Sequence, residues 1–153
     1  MKLGDVLRKE REKKKLTPEG VAAELGIPEE RYAEMEGGAS PAEVWGPRLG
    51  KAAIALETPT SRLLAESGRA ADCRPGQAGA LIRQHRERRG KTAEEMAAAL
   101  EVSPEEYRAI EDGATALEEQ GPLLLRFAEL IEQPVFNLFY PCGLPFDQLD
   151  DYP

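Results

Sequence analysis

The sequence predicts an all-α protein in which one small helical unit is written twice. Three observations carry this. The chain repeats itself, the two repeats hold helix-start signals in the same places, and their apolar residues recur at helical spacing. Shifted by 75 positions, the sequence lies on itself without a gap from Gly4 to Leu64. Matched pairs include Gly4/Gly79, Arg8/Arg83, Arg11/Arg86, Thr17/Thr92, Leu25/Leu100, Tyr32/Tyr107, Glu36/Glu111, Gly46/Gly121 and Pro47/Pro122. Self-similarity at a fixed period marks a duplicated structural unit. The expected units span residues 1–67 and 78–143. A Gly-, Pro- and Ala-rich linker at 68–77 joins them, and a tail covers 144–153.

Each unit reads as five helices. The first is expected from about Gly4 to Lys14. Thr17 is a natural N-cap, with Pro18 at the first helical position, where a missing N–H costs nothing. In the second unit Thr92 and Glu95 form a capping box. Val21, Ala22 and Leu25, matched by Met96, Ala97 and Leu100, supply the apolar stripe of helix two. Gly26 ends it in the left-handed conformation; Glu101 stands there in the second unit, at a steric penalty. Ile27 and Val102 plug the turn. Ser103, Pro104 and Glu106 then open helix three as N-cap, first-turn Pro and capping-box acid.

Tyr32 and Met35, like Tyr107 and Ile110, share one inward face of helix three, and Gly38 or Gly113 stops it. Their spacing places the tyrosines in the core rather than against bases. Gly46-Pro47 and Gly121-Pro122 are expected to open a fourth helix running through Leu56 and Ile131. A short fifth helix is expected over Thr60–Glu66 and Val135–Tyr140.

Composition narrows the function classes. No apolar run approaches a membrane span. The N-terminus "MKLGDVLRKEREKKK" has no apolar stretch after its charges, so a cytoplasmic location is expected. Cys73 and Cys142 form no CxxC pair and His85 is the single histidine, so neither a metal nor a cofactor is expected. The cysteines read as two reduced thiols, with a disulfide as the alternative. Nothing resembles a catalytic constellation or a Gly-rich phosphate loop, so an enzyme is not expected.

The net charge of -8 is unevenly spread. Residues 1–68 hold 11 basic and 12 acidic side chains, whereas residues 77–153 hold 7 and 15. An acidic surface is repelled by phosphate, so any DNA contact needs a local basic patch.

The order of helix, short helix, Gly-apolar turn, helix and then "E-x-G" resembles the Cro/Xre-type, lambda-repressor-like helix-turn-helix domain, in two tandem copies. The resemblance covers nearly the whole chain. It implies that an arginine late in helix one pairs with the glutamate ending helix three, here Arg11 with Glu36 and Arg86 with Glu111. It also implies that helix three enters the DNA major groove with its first residues at the base edges.

The matching positions are Pro28, Glu29, Glu30 and Glu34 in the first copy, and Ser103, Pro104, Glu105 and Ala109 in the second. Arg31 and Arg108 lie on the same two helices. Glutamate can accept from cytosine N4, but carboxylates beside phosphates are a liability. The loop after helix three, often basic in the family, has no cation here: "GASPAEVWGP" and "GATALEEQGP".

Candidate backbone contacts are Lys13, Lys14, Lys15 and the cap Thr17, with Arg88, Arg89, Lys91 and the cap Thr92 in the second copy. The same charges also serve simply to complement the end of helix one. Trp45, in the loop before helix four, packs on that helix or anchors a protein partner. Phe146 and Tyr152, in the acidic-apolar tail, are further candidates for a protein contact.

Two functions follow from these features. One is a transcriptional regulator in which the covalent tandem reads two non-identical half-sites of double-stranded DNA. The other is a protein–protein adaptor on the same scaffold, its DNA face lost and its acidic third helices or tail recruiting a partner. A mixed version has the near-neutral first copy on DNA and the acidic second copy on protein. Composition leaves the oligomeric state open.

Overall fold

The computed structural model describes residues 2–57 and 76–142. The expected fifth helix of the first copy, Cys73, Phe146, Tyr152 and most of the expected linker lie outside the described residues. Those that are described form helices α1 (Leu3–Lys13), α2 (Pro18–Leu25), α3 (Glu29–Glu36), α4 (Ala42–Ala55), α5 (Gln77–Arg88), α6 (Ala93–Leu100), α7 (Pro104–Glu111), α8 (Leu117–Leu130) and α9 (Phe136–Phe139). A 3-10 turn at Tyr140–Cys142 follows α9. None of these helices is long and apolar enough to cross a membrane.

The first three helices of each repeat end where local chemistry demands. Thr17 Oγ1 accepts from the Gly20 N–H at 3.0 Å, and Thr92 Oγ1 from the Glu95 N–H at 3.1 Å. Gly26 closes α2 at φ 70°, and Glu101 closes α6 in the same left-handed region at φ 59°. The turn thus keeps its shape where glycine is lost. Gly4 and Gly79 are needed for a different reason: a Cβ on either would fall on the last carbonyls of the facing helix three, those of Met35 and Glu36 or of Ile110 and Glu111. Helix one can approach helix three only without a side chain there.

Helix four departs from expectation. It begins at Ala42 and Leu117, so that Pro47 and Pro122 lie inside it rather than at its start. The missed signal is the residue pair before it. Ser40 Oγ accepts from the Ala42 N–H at 3.0 Å, two residues on, with Pro41 between them at the N-cap. Thr115 Oγ1 plays this part for Leu117 at 3.4 Å. Proline removes one backbone donor inside the helix. Burial of Ala42, Gly46, Leu49 and Ala53 along one stripe offsets that loss. Trp45 therefore belongs to the first turns of α4 rather than to a loop. It packs half-buried on the core with the Arg48 guanidinium 4.6 Å from its ring centroid.

Two separate cores were expected, but the buried side chains of both repeats form one continuous cluster. α4 and α8 pack against each other. α4 also packs on α6 of the second repeat, α8 on α2 of the first, and α9 on α1 and α4. The reason lies in α8, which buries Leu123, Leu124, Leu125, Phe127 and Ala128 on more than one face. A helix apolar on several sides needs neighbours on several sides. The crossing is tight: a Cβ on Gly46 would meet Leu3 Cδ2 at 2.8 Å, Phe139 Cε1 at 3.1 Å and Leu124 Cδ1 at 3.2 Å.

Candidate nucleic-acid interface

In each repeat two eight-residue helices, α2 and α3 or α6 and α7, meet across a short turn. Ile27 and Val102 tuck that turn against the core. Tyr32 and Tyr107 are fully buried on the inner face of the second helix of each pair, out of reach of a base. α7 starts on Ser103, whose Oγ accepts from the Glu106 N–H at 3.1 Å. α3 starts on Pro28, which offers no side-chain cap.

An arginine ties each pair to helix one. Arg11 Nε donates to Glu36 Oε1 at 2.9 Å, and its NH1 to the Leu16 carbonyl at 2.9 Å. In the second repeat Arg86 grips Glu111 with both Nε, at 2.6 Å, and NH2, at 3.0 Å, while its NH1 holds the Lys91 carbonyl at 3.0 Å. Arg83 joins this clasp, donating to Glu111 Oε1 at 3.1 Å and to Asp112 Oδ1 at 2.9 Å. Both glutamates are buried.

One guanidinium thus fixes the end of helix one, the carbonyl just before helix two and the end of helix three. Burial alone would raise the Glu111 carboxyl, but the bonds led by Arg86 hold it below the ordinary range. The phenols of Tyr32 and Tyr107 are pushed well above theirs by burial and then by the neighbouring carboxylate. Neither hydroxyl has a hydrogen-bond partner among the described residues.

Residues 77–134 match the family model of a helix-turn-helix domain. That stretch is a helix-turn-helix domain. Comparison with curated proteins and with solved structures gave no match.

The outer face of the helix-turn-helix domain is strongly acidic. With the buried Glu111 and Glu36 set aside, the stretch from Thr92 to Asp112 exposes six carboxylates beside one cation, and the corresponding Thr17–Gly37 stretch of the first repeat five beside one. Glu29, Glu30, Glu34 and Glu105 are exposed. Glu19, at the start of α2, raises the Glu29 carboxyl by charge repulsion and then through a hydrogen bond between the two side chains. Arg108 donates to Glu94 at 2.9 Å, and Arg31 is bound by Glu119 of α8. Among the described residues, no cation of the two pairs is left without a carboxylate.

The cations before helix two divide into two groups. Lys13 pairs with Glu10 at 3.2 Å, Lys14 with Glu132 of the other repeat at 3.6 Å, and Arg89 donates to the Glu57 carbonyl of the other repeat at 3.5 Å. Lys15, Arg88 and Lys91 have no ion-pair partner among the described residues. Lys15 stands at φ 56°, the left-handed position that Gly90 fills at φ 63° in the second repeat.

Two further kinds of residue hold the elements of the site in place. Glu43 receives the Leu3 and Gly4 N–H groups at 3.0 and 2.7 Å, and Glu118 those of Ala78 and Gly79 at 3.1 and 2.8 Å. These carboxylates from helix four cap helix one. Their identity across the 75-residue shift was the available signal. Lys51 and Arg126, also matched across the shift, reach the other repeat: Lys51 to Glu101 at 2.7 Å, Arg126 to the Leu25 carbonyl at 3.3 Å.

Proposed function

We propose that the protein is a non-enzymatic, cytoplasmic transcriptional regulator of the Cro/Xre type whose two helix-turn-helix units bind double-stranded DNA. The observation that carries this reading is the helix-turn-helix domain itself, with capped helix starts at Thr92 and Ser103 and, just before the first of them, Arg88 and Lys91 without an ion-pair partner among the described residues. A helix N-terminus with adjacent cations is suited to a phosphate. Lys15 and Thr17 supply the same elements in the first repeat.

A second reading, a protein–protein adaptor on this scaffold, is favoured by the acidic faces. Six exposed carboxylates to one cation is unfavourable beside a phosphate backbone. Titration into mixed duplex DNA at low and moderate salt separates the two. Binding with a steep salt slope, weakened when Lys15, Arg88 and Lys91 are replaced by Ala, supports the regulator. Absence of binding at low salt removes it and leaves the adaptor.

A further inference from the structure

Each helix four serves two masters. Its first turn belongs to its own repeat, where Glu43 caps α1 and Glu118 caps α5. Its later turns belong to the other repeat. Lys51 meets Glu101 at the end of α6, and Arg126 meets the Leu25 carbonyl at the end of α2. Lys14 with Glu132 and Arg89 with the Glu57 carbonyl make a second matched pair of contacts across the same joint. Reciprocal contacts of this kind are the mark of an approximate two-fold relation. The centre of the joint is buried and apolar, where Tyr32 meets Phe127 and Gly46 lies against Leu124. Domains that move relative to one another meet through smaller, more polar contacts.

We infer that this exchange of helix four, rather than the connecting segment, sets the mutual orientation of the two helix-turn-helix units, so that the chain accepts duplex DNA with one half-site spacing only. The part concerning DNA rests on the regulator reading above. Two units joined by a flexible tether tolerate many spacings, and a longer tether tolerates more. Two units that share a core have no such freedom, whatever joins them. A dimeric reader of this class spans half-sites about 34 Å apart; in this chain the packing of α4 against α8 fixes whatever span the two units present.

The test uses the full chain in two altered forms. One carries a Gly-Ser insertion between Ala71 and Asp72, and the other a protease site at the same place. Selection from a randomised duplex library should give the same half-site spacing for the wild type and the insertion variant. A broadened or shifted spacing in the variant overturns the inference. After cleavage, the other form should keep the mass of the intact chain in solution and melt in one transition; separation into two halves overturns it. Failure of the wild type to enrich any duplex sinks the regulator reading and the spacing claim with it. The cleaved chain then decides the shared orientation alone.

Discussion

Tyr32 of the first repeat stacks on Phe127 of the second, with ring centroids 6.4 Å apart and planes 20° from parallel. Both rings are fully buried. Tyr32 lies on the inner face of the α2–α3 pair, so that pair is backed by a helix from the other repeat. The position matching Phe127 in the first repeat is Ala52, so the joint is reciprocal in layout but not in side chains. Of these two matched positions, only the one on α8 carries a ring.

Replacing Phe127 with Ala should therefore destabilise both repeats together. Loss of a buried aromatic costs about 3–5 kcal/mol, part of it from the cavity left behind. Urea unfolding followed at both ends of the chain is expected to shift to lower denaturant as one transition. Two separated transitions, with only the second repeat affected, would contradict the shared core.

The clasp makes stability depend on acid. The folded-state carboxyl of Glu111 lies below its ordinary value, so its contribution is fully present above the unfolded value, about 4.3, and fades as pH falls through the folded one. Part of the stability at neutral pH should thus disappear below about pH 4. Glu111→Gln should be less stable at neutral pH and lose less on acidification. Stability profiles that stay parallel from neutral to acidic pH would show that this carboxylate is not the sensitive group. Arg86→Ala leaves the same carboxylate buried without its main partner and should cost about 3 kcal/mol.

Glu118→Ala should uncap α5. Two backbone donors, those of Ala78 and Gly79, lose their acceptor, at about 1–2 kcal/mol by analogy with side-chain caps. Amide hydrogen exchange gives the sharper reading. The Gly79 N–H should exchange much faster in the variant, while the Val102 N–H, bonded to the Ala97 carbonyl, keeps its rate. Equal protection of Gly79 in both proteins would show that the cap is supplied elsewhere.

Most helix boundaries were legible because their causes are local. Thr17, Thr92 and Ser103 bond to N–H groups three residues on, and Gly26 adopts a conformation that its missing Cβ allows. Helix four was misplaced because Gly46-Pro47 and Ser40-Pro41 are both valid start signals, and burial further along decided between them. The Arg11–Glu36 and Arg86–Glu111 pairs were legible through the family resemblance, whereas Glu43 and Glu118 went unnoticed. A lone carboxylate early in a helix looks the same whether it caps a neighbour or faces water.

The residues alone determined that this chain is helical, that its sequence repeats at a shift of 75 positions, and that the stretches holding α2–α3 and α6–α7 are acidic. Only the tertiary structure decided which repeat each helix four would cover. The physical reason is degeneracy. Val21, Ala22 and Leu25 offer nearly the same apolar stripe as Met96, Ala97 and Leu100, so a helix seeking such a stripe finds two equivalent surfaces. Local pattern cannot choose between them; the close crossing at Gly46, the Tyr32–Phe127 stack and the charges at Lys51 and Arg126 do.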